Sequence, residues 1–421
     1  MGKQKLKIFL SYHKNTPCYK SSVFQPIHVG AKNSEELLDF TQRDDEGDNI
    51  SDLNPYYCEL TGHYWVLKNY IDTSDDDYIG FCHYRRLPDL NNISDIDSPS
   101  IYGMTYSQSI DFFKTISNNK YDFKYDIILP CSVYLYANTV NPILRDNEPH
   151  YTMYEQFKKE HNSSLLDILK TVIEKDFPDF INALNTAYSQ EKIHSYNIYI
   201  MKKELLKKFL EWEFEVLNKL GEKIGGWKQD KYARLAGFIG ENLINVWLNK
   251  YQNLKKGYVP LYMIDFEADY IQKANEYNVL GDFKNEIIIL EEFIKITSDK
   301  FNVLTAIADL YNKLSDENNF ILTLERAKNY AISAGDYNIL ANLYSNISDD
   351  KQTAANLFKK STELAPEDKF YAQDFLAFAT KTKDLDIIKQ AWDTMNNFNL
   401  DKTENEKYNH FLKIYQMVKS E

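Results

Sequence analysis

Tyr78-Ile-Gly-Phe-Cys-His83-Tyr84-Arg85-Arg86 runs from five residues suited to a buried strand straight into an imidazole and two guanidiniums. Ser74-Asp75-Asp76-Asp77 before it is polar and turn-like, and Leu87-Pro88 after it is expected to close the strand, because proline cannot extend a ladder. In α/β sheets, ligands sit at the carboxyl ends of the strands. Two adjacent arginines there offer forked donors to phosphate or carboxylate, so the stretch predicts an anionic ligand at the mouth of a sheet. The bland alternative is an arginine pair bridging surface carboxylates. In an extended chain, side chains alternate faces, which would put His83 beside Arg85 and Tyr84 beside Arg86.

Outward from this strand, Leu6-Lys-Ile-Phe-Leu-Ser-Tyr12, Ile27-His-Val29, Asp126-Ile-Ile-Leu129 and Tyr196-Asn-Ile-Tyr-Ile-Met201 read as further strands. Pro55 to Ile71, Leu165 to Phe177 and Leu205 to Leu220 carry helical periodicity. Strands alternating with helices predict a mostly parallel sheet with helices on both faces. After about Asp265 the strand signals stop. Four segments then begin at Tyr277, Tyr311, Tyr344 and Phe378, at spacings of 34, 33 and 34 residues. That period belongs to helix–turn–helix repeats of the tetratricopeptide kind, and Ala354, Phe358 and Pro366 fit the second helix and closing proline of one repeat. The expected organisation is an α/β domain over residues 1–264 followed by an all-α helical-repeat domain over residues 265–421.

A chain of 421 residues exceeds one typical core, which agrees with two domains. The net charge of −13 argues against a nucleic-acid binder, which would want a basic surface. No apolar run approaches the roughly 20 residues of a membrane span. The start, Met1 to Leu10, reads as a first strand and not as a signal peptide. Cys18, Cys58, Cys82 and Cys131 are scattered, with no metal-type pairing, as in a reduced cytoplasmic protein. The P-loop, the G-x-G-x-x-G fingerprint, the G-x-S-x-G elbow and H-E-x-x-H are all missing from the sequence, which removes the easily read enzyme classes.

Three other segments carry chemistry. Asp44-Asp45-Glu46-Gly47-Asp48-Asn49-Ile50-Ser51 leads into Asn54-Pro55, where Asn54 reads as a helix N-cap. On the helix that follows, Glu59 and His63 are four apart and share a face, so they are expected to pair. The loop would line a sugar or metal site, or would simply be a solvated turn with a cap. Arg234 to Leu248 is apolar nearly all round, so Glu241 is expected to be a carboxylate in poor solvent, with the raised pKa that suits a general base, or else one half of an ion pair with Arg234. In Glu191-Lys-Ile-His194-Ser-Tyr-Asn197, His194 and Asn197 either meet a substrate hydroxyl or are a satisfied core histidine and a turn asparagine.

Lys7-Ile-Phe-Leu-Ser-Tyr-His13, Pro26-Ile-His-Val-Gly30, Gly47-Asp-Asn-Ile-Ser51, Asn54-Pro-Tyr-Tyr-Cys-Glu-Leu-Thr61, Asp77 to Arg86, Asn197-Ile-Tyr-Ile-Met-Lys-Lys and Gly237-Phe-Ile-Gly-Glu241 occur in an order that resembles one family. It is a bacterial capsular and exopolysaccharide biosynthesis family of glycosyltransferases, long catalogued only as a domain of unknown function (DUF4422-like). The likeness covers about residues 5 to 262 and departs at Ile198, where Met is expected, and at Asn242, where Arg or Leu is expected. It implies a Rossmann-like fold akin to the GT-A glycosyltransferase class, a nucleotide-diphosphate-sugar donor such as a UDP-sugar, and a glycan or lipid-linked acceptor that would bring a cytoplasmic enzyme to the inner membrane. Among the sugars that the resemblance would admit is galactofuranose.

In that frame Asp48, Asn49, His83, Tyr84, Arg85, Arg86 and Asn197 are expected to bind donor, and His194 and Asn54 to bind acceptor. Glu241 is the expected base, with Glu59 in reserve. A divalent ion, Mn2+ or Mg2+, would be expected on an Asp-x-Asp after the strand, yet Asp75-Asp76-Asp77 precedes it. Either the ion is bound elsewhere, or His83 and the arginines neutralise the leaving diphosphate. The repeats would bind a partner protein, self-associate or lengthen an acceptor groove. The competing expectation is a non-catalytic glycan-binding scaffold that acts through those repeats.

Overall fold

The computed structural model describes residues 4–39, 42–118, 121–135, 150–161, 164–345 and 351–395, with residues 413 and 416. The chain divides into two compact units after Phe266. In the first, the strands are β1 (Leu6–Tyr12), β2 (Phe24–His28), β3 (Gln42–Arg43), β4 (Tyr78–His83), β5 (Arg86–Pro88), β6 (Ile101–Thr105), β7 (Ile127–Pro130), β8 (Val133–Tyr134), β9 (Lys192–Ile193), β10 (Tyr199–Lys202), β11 (Lys256–Val259) and β12 (Leu261–Asp265). The α-helices are α1 (Asn54–Tyr57), α2 (Leu60–Asn69), α3 (Tyr106–Asn118), α4 (Met153–His161), α5 (Leu165–Asp176), α6 (Ile181–Tyr188), α7 (Lys203–Lys223) and α8 (Leu235–Lys250).

The main sheet has the order β11-β7-β10-β4-β1-β2-β3. β4 is central and buried through Cys82, as an apolar run covered on both faces should be. β1, β2 and β4 are parallel, with Ser11 opposite His83 and Tyr12 opposite His28, so their carboxyl ends coincide. β10 is antiparallel to both β4 and β7, which makes the sheet mixed. Because β10 runs the other way, its amino end and the preceding Tyr196-Asn197 arrive at that same edge. The core packs Phe9, Phe81, Tyr199, Leu60, Phe209, Ile239 and Leu243 between the sheet and helices α2, α7 and α8.

Two local features depart from expectation. The chain does not continue extended past His83. Tyr84 and Arg85 form a turn, and Arg86 pairs back with His83 as a second strand, β5, opens, which Pro88 ends. The helix expected over Pro55 to Ile71 is broken into α1 and α2 at Cys58, which has φ 50°. α8 presses on that break: a Cβ on Gly237 would lie 3.1 Å from the Cys58 Cβ and 3.3 Å from the Tyr57 carbonyl oxygen. The Asn54 amide donates to the freed Cys58 carbonyl (2.8 Å) and the Thr61 hydroxyl does the same (3.1 Å), which satisfies the interrupted backbone.

The second unit is all-helical over its described residues: α9 (Ala268–Leu280), α10 (Phe283–Phe293), α11 (Lys300–Lys313), α12 (Glu317–Lys328), α13 (Ala334–Tyr344), α14 (Lys351–Leu364), α15 (Lys369–Thr382) and α16 (Leu385–Met395). Successive helices pair as α9/α10, α11/α12, α13/α14 and α15/α16. Evenly spaced N-caps set the repeat. Asp282, Asp299 and Asp316 each accept the backbone N–H and the side-chain amide of the asparagine three residues on, and Ser333 forms a capping box with Asp336. Ala354 and Phe358 are buried, and Phe358 stacks on Phe375 at 5.8 Å. Residues 346–349 of the segment beginning at Tyr344 lie outside the described residues. No helix among the described residues is long and apolar enough to cross a membrane.

Gly80 sits where β4 and β10 touch most closely: a Cβ there would lie 2.8 Å from the Tyr199 carbonyl oxygen and 2.5 Å from the Ile200 Cγ1. Gly80→Ala is expected to lower unfolding free energy by about 1–3 kcal/mol in urea denaturation, the usual scale for overpacking a core. An unchanged midpoint would show that the two strands separate freely.

Candidate active site

At the carboxyl edge, β4 delivers His83 and β1 delivers His13. The His83 ring lies 5.9 Å from that of His13 and 4.3 Å from that of Tyr84. His83 Nδ1 accepts the Arg85 backbone N–H at 3.2 Å. Burial, then the charge of Arg86, hold the His83 pKa well below the usual value. A neutral ring with Nδ1 as acceptor carries its proton on Nε2, so His83 is a fixed neutral donor. Tyr84 is buried and stacks on Tyr12 at 5.1 Å. Arg85 is exposed. Arg86 is half-buried with its guanidinium 4.4 Å from the centre of the Tyr196 ring, and its Nε is buried without a partner.

The carboxylates come from the broken helix and from α8. Glu59 stands at the N-cap of α2, one helical turn from His63, whose backbone N–H reaches the Glu59 carbonyl at 3.4 Å, yet the expected Glu59–His63 side-chain pair does not form because each side chain has another partner. The Asn197 amide instead donates to Glu59 at 2.8 Å and to the Gly237 carbonyl at 3.2 Å. His63 is fully buried, stacked on Phe81 at 3.7 Å, and bonded through Nδ1 to the Tyr199 hydroxyl at 3.0 Å. Burial pushes its pKa down to about 3, so it is a neutral core residue. Glu241, half-buried on α8, accepts the Tyr196 backbone N–H. Burial first, and the neighbouring charge of Glu59 second, push its pKa up to about 7, against the opposing charges of Arg86 and Arg234. The arginines act on it through space, and no Glu241–Arg234 ion pair is present among the described ion pairs.

The other expected residues are placed elsewhere or are already engaged. The Asp48 backbone pairs with Asn69 at the far end of α2, and its carboxylate meets the Tyr64 hydroxyl at 3.3 Å. At 1.5 Å per residue, that end lies about 15 Å from Glu59. The Asn49 amide closes its own turn onto the Asp45 and Gly47 carbonyls. Asn54 is helical and not an N-cap, and its amide donates to Cys58 and Thr61. His194 is held through Nδ1 at the Pro130 carbonyl (2.9 Å) and through its backbone by Asn245.

Among the described residues no group of three or more His, Cys, Asp or Glu side chains is arranged to hold a metal ion. Asp75, Asp76 and Asp77 sit at the opposite end of β4, engaged with Lys5, with Ser74 and Tyr70, and with the Lys5 backbone respectively. The described residues therefore offer no such set for Mn2+ or Mg2+, and no step is assigned to either ion.

Two site residues escaped the sequence reading. His13 follows an apolar strand just as His83 does, and the same signal would have found it. Glu213 on α7 is 0% exposed and neither carboxylate oxygen has a partner among the described residues. It interrupts the buried stripe Leu206, Phe209, Leu210, Val216, Leu217 and Leu220 at helical spacing, a signal that was legible. Burial, then the charge of Glu59, raise its pKa well above the usual carboxyl value, so it is a neutral acid.

Together these features make the first unit a glycosyltransferase-like α/β domain: a mixed sheet with flanking helices, and cations facing carboxylates at its carboxyl edge. The chain belongs to the family described as a domain of unknown function (DUF4422), whose model matches residues 7–253. Among solved structures it is similar to one titled as the apo structure of WbbM, a bifunctional glycosyltransferase, with 25% identity and a TM-score of 0.51. The match covers 62% of this chain and 46% of that one, so it spans less than half of that protein. None of the curated proteins matches.

Glu213 binds a proton in the folded state that a free carboxyl releases above about pH 4.5, so its burial weakens the fold progressively as pH rises from there. Glu213→Met is expected to raise stability at pH 7 by about 1–3 kcal/mol, the cost of an unpartnered buried polar group. The gain should shrink toward pH 4.5. A variant less stable than the wild type at pH 7 would show that Glu213 is satisfied in the native state.

Proposed function

We propose that the first unit is a glycosyltransferase that moves a hexosyl group from a nucleotide-diphosphate-sugar, a UDP-sugar in the simplest case, to a hydroxyl of a growing polysaccharide or lipid-linked glycan. Capsule, exopolysaccharide and O-antigen assembly are the settings that the resemblance implies. The reading rests on one arrangement: Glu241, a carboxylate tuned to titrate near neutrality, is bonded to the same residue whose ring carries the Arg86 guanidinium, and the buried Nε of that guanidinium has no partner among the described residues.

In this mechanism the sugar lies between the two. Glu241 takes the proton of the attacking acceptor hydroxyl as its oxygen bonds to the anomeric carbon. The bond from that carbon to the phosphate oxygen breaks, and its electron pair leaves with the diphosphate. Arg86, Arg85 and the Nε2–H of His83 meet the charge that develops there. The displacement inverts the anomeric centre, with Asn197 holding Glu59 as the reserve base. The paired helices of the second unit, a tetratricopeptide-like array in this reading, bind a partner protein or a second copy of the chain.

The test is release of nucleoside diphosphate from a panel of nucleotide-sugars, UDP-galactofuranose among them, with and without Mn2+ or Mg2+. Glu241→Gln should retain UDP binding within about twofold while turnover falls about 10²- to 10⁴-fold, the usual worth of a general base. A base must be unprotonated to act, so kcat/KM should fall with unit slope below about pH 7 and level off above it. Normal turnover in Glu241→Gln would remove that assignment. Silence across the whole panel, with no thermal shift from any nucleotide, would leave the scaffold role of the repeats in its place.

A further inference from the structure

Tyr196 and Asn197 are consecutive non-glycine residues in the left-handed region, with φ 75° and 51°. Such conformations cost about 1–3 kcal/mol each and persist only where the surroundings over-determine them. Here the surroundings are the site itself. The Tyr196 ring lies 4.4 Å from the Arg86 guanidinium, its backbone N–H holds the Glu241 carboxylate, and the Asn197 amide holds both Glu59 and the Gly237 carbonyl. One strained dipeptide thus touches the cation and both carboxylates. Arg86 brings no ion pair to this contact among the described ion pairs, and its buried Nε is unpartnered. The face of an aromatic ring is therefore what orients this guanidinium while the anion is away.

We propose that Tyr196 is a positioning residue that acts through Arg86: its ring fixes the guanidinium for a diphosphate, and its backbone fixes the distance from that diphosphate to Glu241. The inference rests on the transferase reading and deepens it. A left-handed bend is needed because an ordinary strand entry into β10 would turn the ring and the N–H to different faces. The strain is the cost of presenting both to one ligand.

Binding of UDP to the full-length chain, measured by calorimetry, tests this with two variants. Tyr196→Phe keeps the ring and should bind UDP within about twofold of the wild type. Tyr196→Gly removes the ring but suits the positive φ, so folding is preserved, and it should weaken UDP about 3- to 30-fold. In an Arg86→Ala background, Tyr196→Gly should add no further loss, because the two changes report one interaction. Wild-type affinity in Tyr196→Gly, or losses that simply add in the double variant, would overturn the role of Tyr196 and leave the transferase reading intact. If the wild-type chain itself binds neither UDP nor any other nucleoside diphosphate, the transferase reading falls, and this inference with it.

Discussion

The Asn197 side chain is the contact on which the site depends. Its two N–H groups tie the start of α2, through Glu59, to the backbone of α8, through Gly237, and both to the entry of β10. Three elements distant in sequence are registered by one amide. Each needs its own concession to reach it: positive φ at Cys58 and at Asn197, and no side chain at residue 237, where a Cβ would press on Cys58. Without that amide, Glu59 would lose its donor while facing two other carboxylates in poor solvent.

The electrostatics follow from that placement. Glu59 raises the proton affinity of both Glu213 and Glu241, while Arg86 and Arg234 pull Glu241 back down. Glu213 has no such counterweight and, among the described residues, no hydrogen bond, so it stays neutral, whereas Glu241 is left poised near pH 7. Two glutamates in one neighbourhood thus acquire different roles from their surroundings alone. On the opposite wall His83 is kept neutral by burial beside Arg86, so the anion-binding side is built from guanidiniums and a neutral imidazole donor, and its charge does not lapse at mildly alkaline pH.

The second unit rests on a different constraint. Its helices bury one face against their neighbours, and N-capping residues at regular intervals, Asp282, Asp299, Asp316 and Ser333, set where successive helices begin. Because each cap is satisfied by a residue three positions on, the array is specified locally, repeat by repeat.

Much of this was legible from the residues alone, wherever a property depends on neighbours along the chain. The apolar run ending in His83, the strand Leu6–Tyr12, the helix carrying Glu241 and the all-helical character of the second unit follow from hydrophobic periodicity and capping chemistry. What only the tertiary structure decided depends on neighbours across the chain. The tight reversal at Tyr84–Arg85 re-aims Arg86, Asn197 and Tyr199 take the side chains of Glu59 and His63 that were expected to pair, and Asp48 is carried to the far end of α2. Nothing in the sequence announces that Tyr196 adopts a positive φ, because side-chain type only weakly biases a conformation that packing against α8 and Arg86 enforces. The sequence supplied the charged groups and the strands that bear them. Their distances, and hence which carboxylate titrates near neutrality, came from how α2, α8 and β10 close on one another.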